Sequence, residues 1–143
     1  MSNEAWPALP LAEWRDTCAT LHLWTQIVGK VRLAHTPWLN HSWHAVLYVN
    51  ARGLTTSLIP YQGGGFEIEF DFVRHVLNIQ TTDGSGAELA LRPESVADFH
   101  DRLMAALRKL GISAAISDLP CEIDGAIRFT ADHEHAAYDA EYA

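Results

Sequence analysis

The segment from Phe66 to Phe72 constrains the fold more than any other part of the chain. Apolar and acidic side chains alternate along it: Phe66, Ile68, Phe70 and Phe72 are separated by Glu67, Glu69 and Asp71. A period of two is typical of a β-strand with one face on a core and the other face in water. A strand of this kind is stable only within a larger sheet, so the segment predicts an antiparallel sheet covered on one face by other elements.

Neighbouring segments predict the rest of that sheet. Strands are expected at residues 43–49, 54–59, 75–81 and 87–91, with short turns between them. Short turns can join only antiparallel neighbours, so these strands and 66–72 predict a meander of about five strands. Residues 112–117 are predicted to form a further strand.

Two helices are predicted on either side of the meander. Apolar and small residues recur every three or four positions from Leu11 to Val31, which predicts a long helix over residues 11–33. Ser95 and Asp98 have the spacing of a capping box at the start of a second helix, and Gly111 stands where a left-handed C-terminal cap belongs. Helices on one face of an antiparallel sheet predict a two-layer α+β fold, with residues 1–143 forming one domain.

The charge of the chain is concentrated at its C-terminal end. Residues 118–143 hold seven acidic residues and one basic residue, which accounts for six of the eight net negative charges. Nucleic acids and anionic membranes would repel such a segment, so neither is expected as a partner. With no leader and no long apolar run, a cytoplasmic location is expected. The sequence also contains no motif for a cofactor, so none is predicted.

Two groups of residues are candidates for a binding site. His22, Gln26 and Lys30 are spaced four residues apart on the first helix, beside Trp24, which makes the first three neighbours on one ridge. This ridge is either a solvent-facing stripe or one wall of a pocket. The second group lies in the loop before the first strand and consists of His41, Trp43 and His44.

Histidines also raise the question of a metal site. His133 and His135 share one face if that segment is extended, which is a spacing that metal ligands use. His41 and His44 would point to opposite faces of an extended strand, so they could bind one ion only in a different conformation. No metal is predicted, and His133 and His135 are the remaining candidates.

Several segments resemble a family of bacterial proteins described only as a domain of unknown function. They are residues 21–30 (LHLWTQIVGK), 40–44 (NHSWH), 52–56 (RGLTT), 66–72 (FEIEFDF) and 95–99 (SVADF). Members of that family are usually about twice as long. The resemblance therefore implies that this chain is a short member or an N-terminal half, and it implies no activity.

Three hypotheses about function follow from these residues. The leading one is a non-catalytic module that binds a small molecule or a protein through the helix ridge and the loop at 40–44. The alternative is an enzyme or a metal-binding protein that uses a histidine cluster formed by His41, His44, His133 or His135. A third is self-association through exposed Trp6 or Trp38, or through the edge of the last strand.

Overall fold

A computed structural model describes residues 6–36 and 46–143 of the chain. These residues form two α-helices, six β-strands and one short 3-10 helix. In chain order the elements are α1 (Leu11–His35), β1 (Tyr48–Val49), β2 (Gly53–Thr55), β3 (Ile59–Tyr61), β4 (Gly64–Asp71), β5 (Val76–Thr81), β6 (Gly86–Ala90), α2 (Val96–Lys109) and the 3-10 helix Phe129–Ala131.

The strand predicted from the alternation lies at the centre of the sheet as β4. It pairs antiparallel with β5 from Phe66 opposite Thr81 to Asp71 opposite Val76. On its other side it pairs with β2 at one end and with β3 at the other end. The strands follow the order β1-β2-β4-β5-β6, with β3 beside β4, so the sheet is antiparallel throughout.

The predicted strand 54–59 is interrupted in its middle. Ser57 has a φ of 55°, in the left-handed region. Thr56 still bonds to β4, because its N–H donates to the Ile68 carbonyl at 2.9 Å and its hydroxyl accepts from the Ile68 N–H at 3.0 Å. A hydroxyl thus replaces one carbonyl of the ladder, which leaves β2 and β3 as separate short strands facing the same neighbour.

Two other strand predictions differ from the structure. Only residues 48–49 of the predicted strand 43–49 form a strand, as β1, while residues 43–45 lie outside the described residues. The predicted strand at 112–117 is wrong, since these residues are irregular. The Ile112 N–H donates to the Leu107 carbonyl of α2, and the Ser113 N–H donates to the Tyr61 hydroxyl, so both bond to groups other than a neighbouring strand.

The core lies between the two helices and one face of the sheet. Trp24 of α1 stacks on Phe99 of α2 with ring centroids 4.7 Å apart, and Phe70 of β4 stacks on the other side of Phe99 at 6.3 Å. Other buried side chains complete this layer: Ile27, Val31, Phe66, Ile68, Leu77, Ile79, Leu103 and Leu107. The two-layer α+β prediction is confirmed.

Both helices follow their predicted signals closely. The Ser95 hydroxyl accepts from the Asp98 N–H at 3.1 Å, which is the expected cap at the start of α2. Gly111 has a φ of 77°, the left-handed conformation predicted after its end. Helix α1 continues to His35, two residues beyond the predicted end. No helix among the described residues is long and apolar enough to cross a bilayer.

The acidic C-terminal segment packs against the rest of the chain. Phe129 and Tyr138 are buried in it, and Tyr138 stacks on Trp24. The N–H groups of Ala137 and Asp139 donate to the hydroxyls of Thr20 and Thr17 on α1. The segment is therefore part of the packed structure, despite its charge.

The outer face of the sheet carries the acids of β4, and β2 and the turn before it supply their partners. Each carboxylate accepts a side-chain hydrogen bond: Glu67 from Thr55 at 2.6 Å, Glu69 from Asn50 at 2.7 Å and Asp71 from Arg52 at 2.6 Å.

Asp71 differs from the solvent-facing acid that the alternation predicted. Its side chain is 2% exposed and also accepts from the N–H groups of Val73 and Arg74 in the following turn. The hydrogen bond from Arg52 lowers the pKa of Asp71, against the opposing effect of burial. Asp71 thus holds the turn between β4 and β5 and is a structural acid.

Candidate functional site

A cleft of about 540 Å³ runs along one flank of α1, and we call it the α1 cleft. Helix α1 supplies one wall, and the chain around β1, β2 and residue 121 supplies the other. Its lining residues are His22, Thr25, Gln26, Gly29, Lys30 and Leu33 on the helix, with Leu47, Leu54, Cys121 and Glu122 opposite. The predicted ridge of His22, Gln26 and Lys30 therefore forms a wall of this cleft.

Gln26 joins the two walls of the α1 cleft. Its amide nitrogen donates to the Cys121 carbonyl at 3.0 Å, and its amide oxygen accepts from the Cys121 N–H at 2.8 Å. The side chain thus pairs with this backbone as a neighbouring strand would. Its nitrogen also lies 3.3 Å from Nε2 of His22. Gln26 is accordingly a positioning residue that fixes the rim at Cys121.

Lys30 is the basic side chain of the cleft wall. It is half-buried, and its ammonium lies 6.0 Å from the centre of the Phe129 ring. No carboxylate of the described residues forms an ion pair with it. A half-buried lysine packs its carbon stem on neighbouring apolar atoms, and an anion that enters the cleft could bind its ammonium without displacing an ion-pair partner among the described residues.

The far end of the α1 cleft is apolar. Leu33 lies one turn beyond Lys30 on α1, and Leu47 and Leu54 face it from the chain before β1 and from β2. Gly29 lines the same stretch without a side chain. A cation at one point and leucines around it make the cleft amphipathic.

Trp24 belongs to the core and not to this surface. Its ring is fully buried between Phe99 and Tyr138, with centroid distances of 4.7 Å and 5.7 Å. Two helical residues correspond to a rotation of about 200°, so residue 24 faces away from residues 22 and 26. The structure thus places Trp24 apart from the three ridge residues with which it was grouped.

The loop candidates cannot be placed beside the ridge. His41, Trp43, His44 and also Trp38 lie outside the described residues. The described chain resumes at Val46, and the next residue, Leu47, lines the α1 cleft. The chain therefore reaches the cleft wall within three residues of His44.

A second cavity of about 390 Å³ shares His22 with the α1 cleft. Asp132 and His135 line it, and Nδ1 of His135 lies 2.8 Å from Oδ2 of Asp132. Asp132 is 1% exposed, and its other oxygen accepts from the N–H groups of Glu134 and His135. A buried carboxylate thus fixes the ring of a half-exposed histidine, an arrangement that orients imidazoles in many sites.

The two histidines considered as metal ligands, His133 and His135, belong to no group of metal-binding side chains among the described residues. His133 is exposed, whereas His135 faces Asp132. Across residues 6–36 and 46–143, no three His, Cys, Asp or Glu side chains are placed to hold one ion. A pairing of His135 with Asp132 could have been suspected from their three-residue spacing.

A larger groove of about 790 Å³ lies between α2 and residues 112–118. Two of its acidic groups already have partners. Asp118 accepts from the hydroxyl and the N–H of Thr130 at 2.7 Å and 3.0 Å, and these bonds lower its pKa although burial acts to raise it. His100 lies 3.1 Å from the carboxylate of Asp101. This groove is larger than the α1 cleft, but its basic residue, Arg108, is exposed, whereas Lys30 of the α1 cleft is half-buried.

The fold and the cleft together define a two-layer α+β domain with an amphipathic cleft beside its N-terminal helix. The chain belongs to a family of unknown function, DUF5996, whose model matches residues 6–143. Comparison with curated proteins and with solved structures found no match.

Proposed function

We propose that this domain is a non-catalytic binding module that takes a small molecule in the α1 cleft. The observation that carries the proposal is the placement of Lys30, which forms no ion pair within residues 6–36 and 46–143, in a cleft that leucines also line and whose rim Gln26 holds in place. The volume of about 540 Å³ lies within the range of roughly 300–1,000 Å³ that small-molecule sites occupy. A concave site of this size favours a small molecule over a protein surface.

Cys121 offers a direct probe of occupancy because it is exposed and lines the cleft. In a Cys18→Ser background, Cys121 is the only thiol, so its alkylation rate reports access to the rim. Small molecules would first be screened by ligand-observed NMR. Compounds that bind in the cleft are expected to slow alkylation of Cys121 in proportion to their occupancy.

A matched pair of variants locates the binding. Leu33→Trp places a large ring in the cleft, whereas Leu119→Trp makes the same change at an exposed residue outside it. Binding is expected to be lost in the first variant and kept in the second. The proposal fails if no compound binds the wild-type chain, or if compounds bind the Leu33→Trp variant as well as the wild type.

The pair of Asp132 and His135 favours a second candidate, an enzyme that uses His135 as a general base. Nδ1 of His135 faces the buried carboxylate, which would stabilise the imidazolium when Nε2 accepts a proton. The test is hydrolysis of p-nitrophenyl esters of varied chain length. His135→Gln should abolish it, and His133→Gln, an exposed neighbour, should not. Equal rates in both variants and the wild type would exclude this role for ester substrates.

A further inference from the structure

We infer that the ligand of the α1 cleft is an organic monocarboxylate with an apolar body, an inference that rests on the proposed function. Lys30 would meet the carboxylate, and Leu33, Leu47 and Leu54 would cover the apolar body.

Lys30 is a half-buried cation in a chain that is rich in acidic residues. The protein has ten Lys and Arg residues against eighteen Asp and Glu residues, so acidic partners are plentiful. Three cations use them: Arg52 pairs with Asp71, Arg74 with Glu88 and Arg102 with Glu94. The basic residues that form no ion pair within residues 6–36 and 46–143 include Arg15, Arg92, Arg108, Lys109 and Arg128, all of which are exposed. Lys30 has no such partner among the described residues, although it is half-buried. An incoming anion would supply the missing charge.

Two neutral polar side chains of the cleft are already hydrogen-bonded within the fold. Both ends of the Gln26 amide bond to the backbone of Cys121. The Thr25 hydroxyl donates to the His22 carbonyl at 2.8 Å. Recognition of a ligand rich in hydroxyl or amide groups would need donors as well as acceptors, and the hydroxyl proton of Thr25 and an amide proton of Gln26 are already engaged.

Glu122 limits the negative charge that a ligand of the cleft can carry. Glu122 lies on the same rim as Cys121, opposite α1, and it is exposed. A carboxylate there repels a second negative charge, so the site favours one anionic group over two. A monocarboxylate supplies a single negative charge for Lys30, and an apolar remainder suits the leucines.

The test compares headgroups on one apolar body. Decanoate, decanol and decylammonium, each below its aggregation concentration, are titrated into the wild-type chain by calorimetry. The same series is repeated with 4-phenylbutanoate, its alcohol and its ammonium. Each carboxylate is expected to bind at least tenfold more tightly than the matching alcohol, and each ammonium more weakly than either.

Variants at two lysines test the assigned charge. Lys30→Met should remove the preference for carboxylate over alcohol, while Lys30→Arg should retain it. Lys109→Met makes the same change of charge on α2, outside the cleft, and should leave the preference unchanged. The inference is overturned if alcohol and carboxylate bind alike, or if Lys30→Met keeps the preference. Those results would leave the α1 cleft as a binding site, whereas failure of every compound to bind would overturn the proposed function itself.

Discussion

The acids on the outer face of the sheet have side-chain partners, whereas the lysine of the α1 cleft has no carboxylate partner among the described residues. On the sheet, each acid of β4 has a partner supplied by a neighbouring segment, as Arg52 does for Asp71. In the cleft, Lys30 lies half-buried with no carboxylate beside it among the described residues. The charges of the sheet face are thus compensated by neighbouring side chains, and the charge of Lys30 is not compensated by a described carboxylate.

This difference separates polar residues that the fold requires from those that it does not. Removing one member of a hydrogen-bonded pair leaves the other member without its bond, and this lowers the free energy of unfolding. Removing an unpaired cation breaks no such bond. Stability measurements can therefore distinguish the two regions before any ligand is known.

The largest expected effect separates the two flanks of α1. Trp24→Ala should lower the free energy of unfolding by about 3–5 kcal/mol, because it empties a buried aromatic site between Phe99 and Tyr138. His22→Ala, on the exposed cleft flank, should change it by less than about 0.5 kcal/mol. Urea denaturation measures both. Comparable losses would show that His22 also belongs to the folding core.

The next effect tests the sheet face through pH. Asp71 has a lowered pKa in the folded chain, so its stabilisation is present above the ordinary aspartate pKa of about 3.9 and is lost as the pH falls toward the folded value. Asp71→Asn should therefore be destabilised at pH 7, and its gap from wild type should narrow at pH 3. Urea denaturation at both pH values measures this. Asp124→Asn, at an exposed residue, is the control, and a gap independent of pH would contradict the role of Asp71.

A smaller effect concerns the joint between the cleft walls. Gln26→Leu removes both hydrogen bonds to Cys121 and should cost about 1–2 kcal/mol. It should also speed alkylation of Cys121 in the Cys18→Ser background, because the rim is no longer held. Gln80→Leu, an exposed change on β5, should do neither. An unchanged alkylation rate would mean that Gln26 does not fix the rim.

The smallest expected effect is the change in stability caused by replacing Lys30, which is compared with the effect of replacing Arg52. Lys30→Met should alter the free energy of unfolding by less than about 0.5 kcal/mol, since it removes no ion pair to a carboxylate of the described residues. Arg52→Met should destabilise the chain clearly, because it leaves the buried carboxylate of Asp71 without its partner. A large loss for Lys30→Met would assign that lysine to the fold.

Local periodicity in the sequence predicted which residues of a strand or helix face the core. It did not predict contacts between segments that are distant in the chain. Alternation placed Phe66 and Phe70 on the core, but Asp71 is buried because Arg52 reaches it from the turn between β1 and β2. The strand predicted at 112–117 was wrong, since Ile112 bonds back to α2. Four-residue spacing grouped His22, Gln26 and Lys30 on one flank of α1, while Trp24, two residues away, faces the core.

The opposite wall of the cleft had no local signal. Cys121 is 95 residues from Gln26, and nothing in its own segment predicts that its backbone pairs with a glutamine side chain. Leu47 and Leu54 read as ordinary strand residues. The wall therefore becomes visible only when the tertiary structure brings these segments against α1.

The most direct test of ligand binding at Lys30 is an NMR titration of the ¹⁵N-labelled chain with decanoate. Saturable amide shifts are predicted to concentrate at Gly29, Lys30 and Cys121, which surround the cleft, and to disappear in the Lys30→Met variant. Shifts confined to the groove beside α2, around Met104 and Ile116, or no saturable shifts at all, would contradict binding in the α1 cleft.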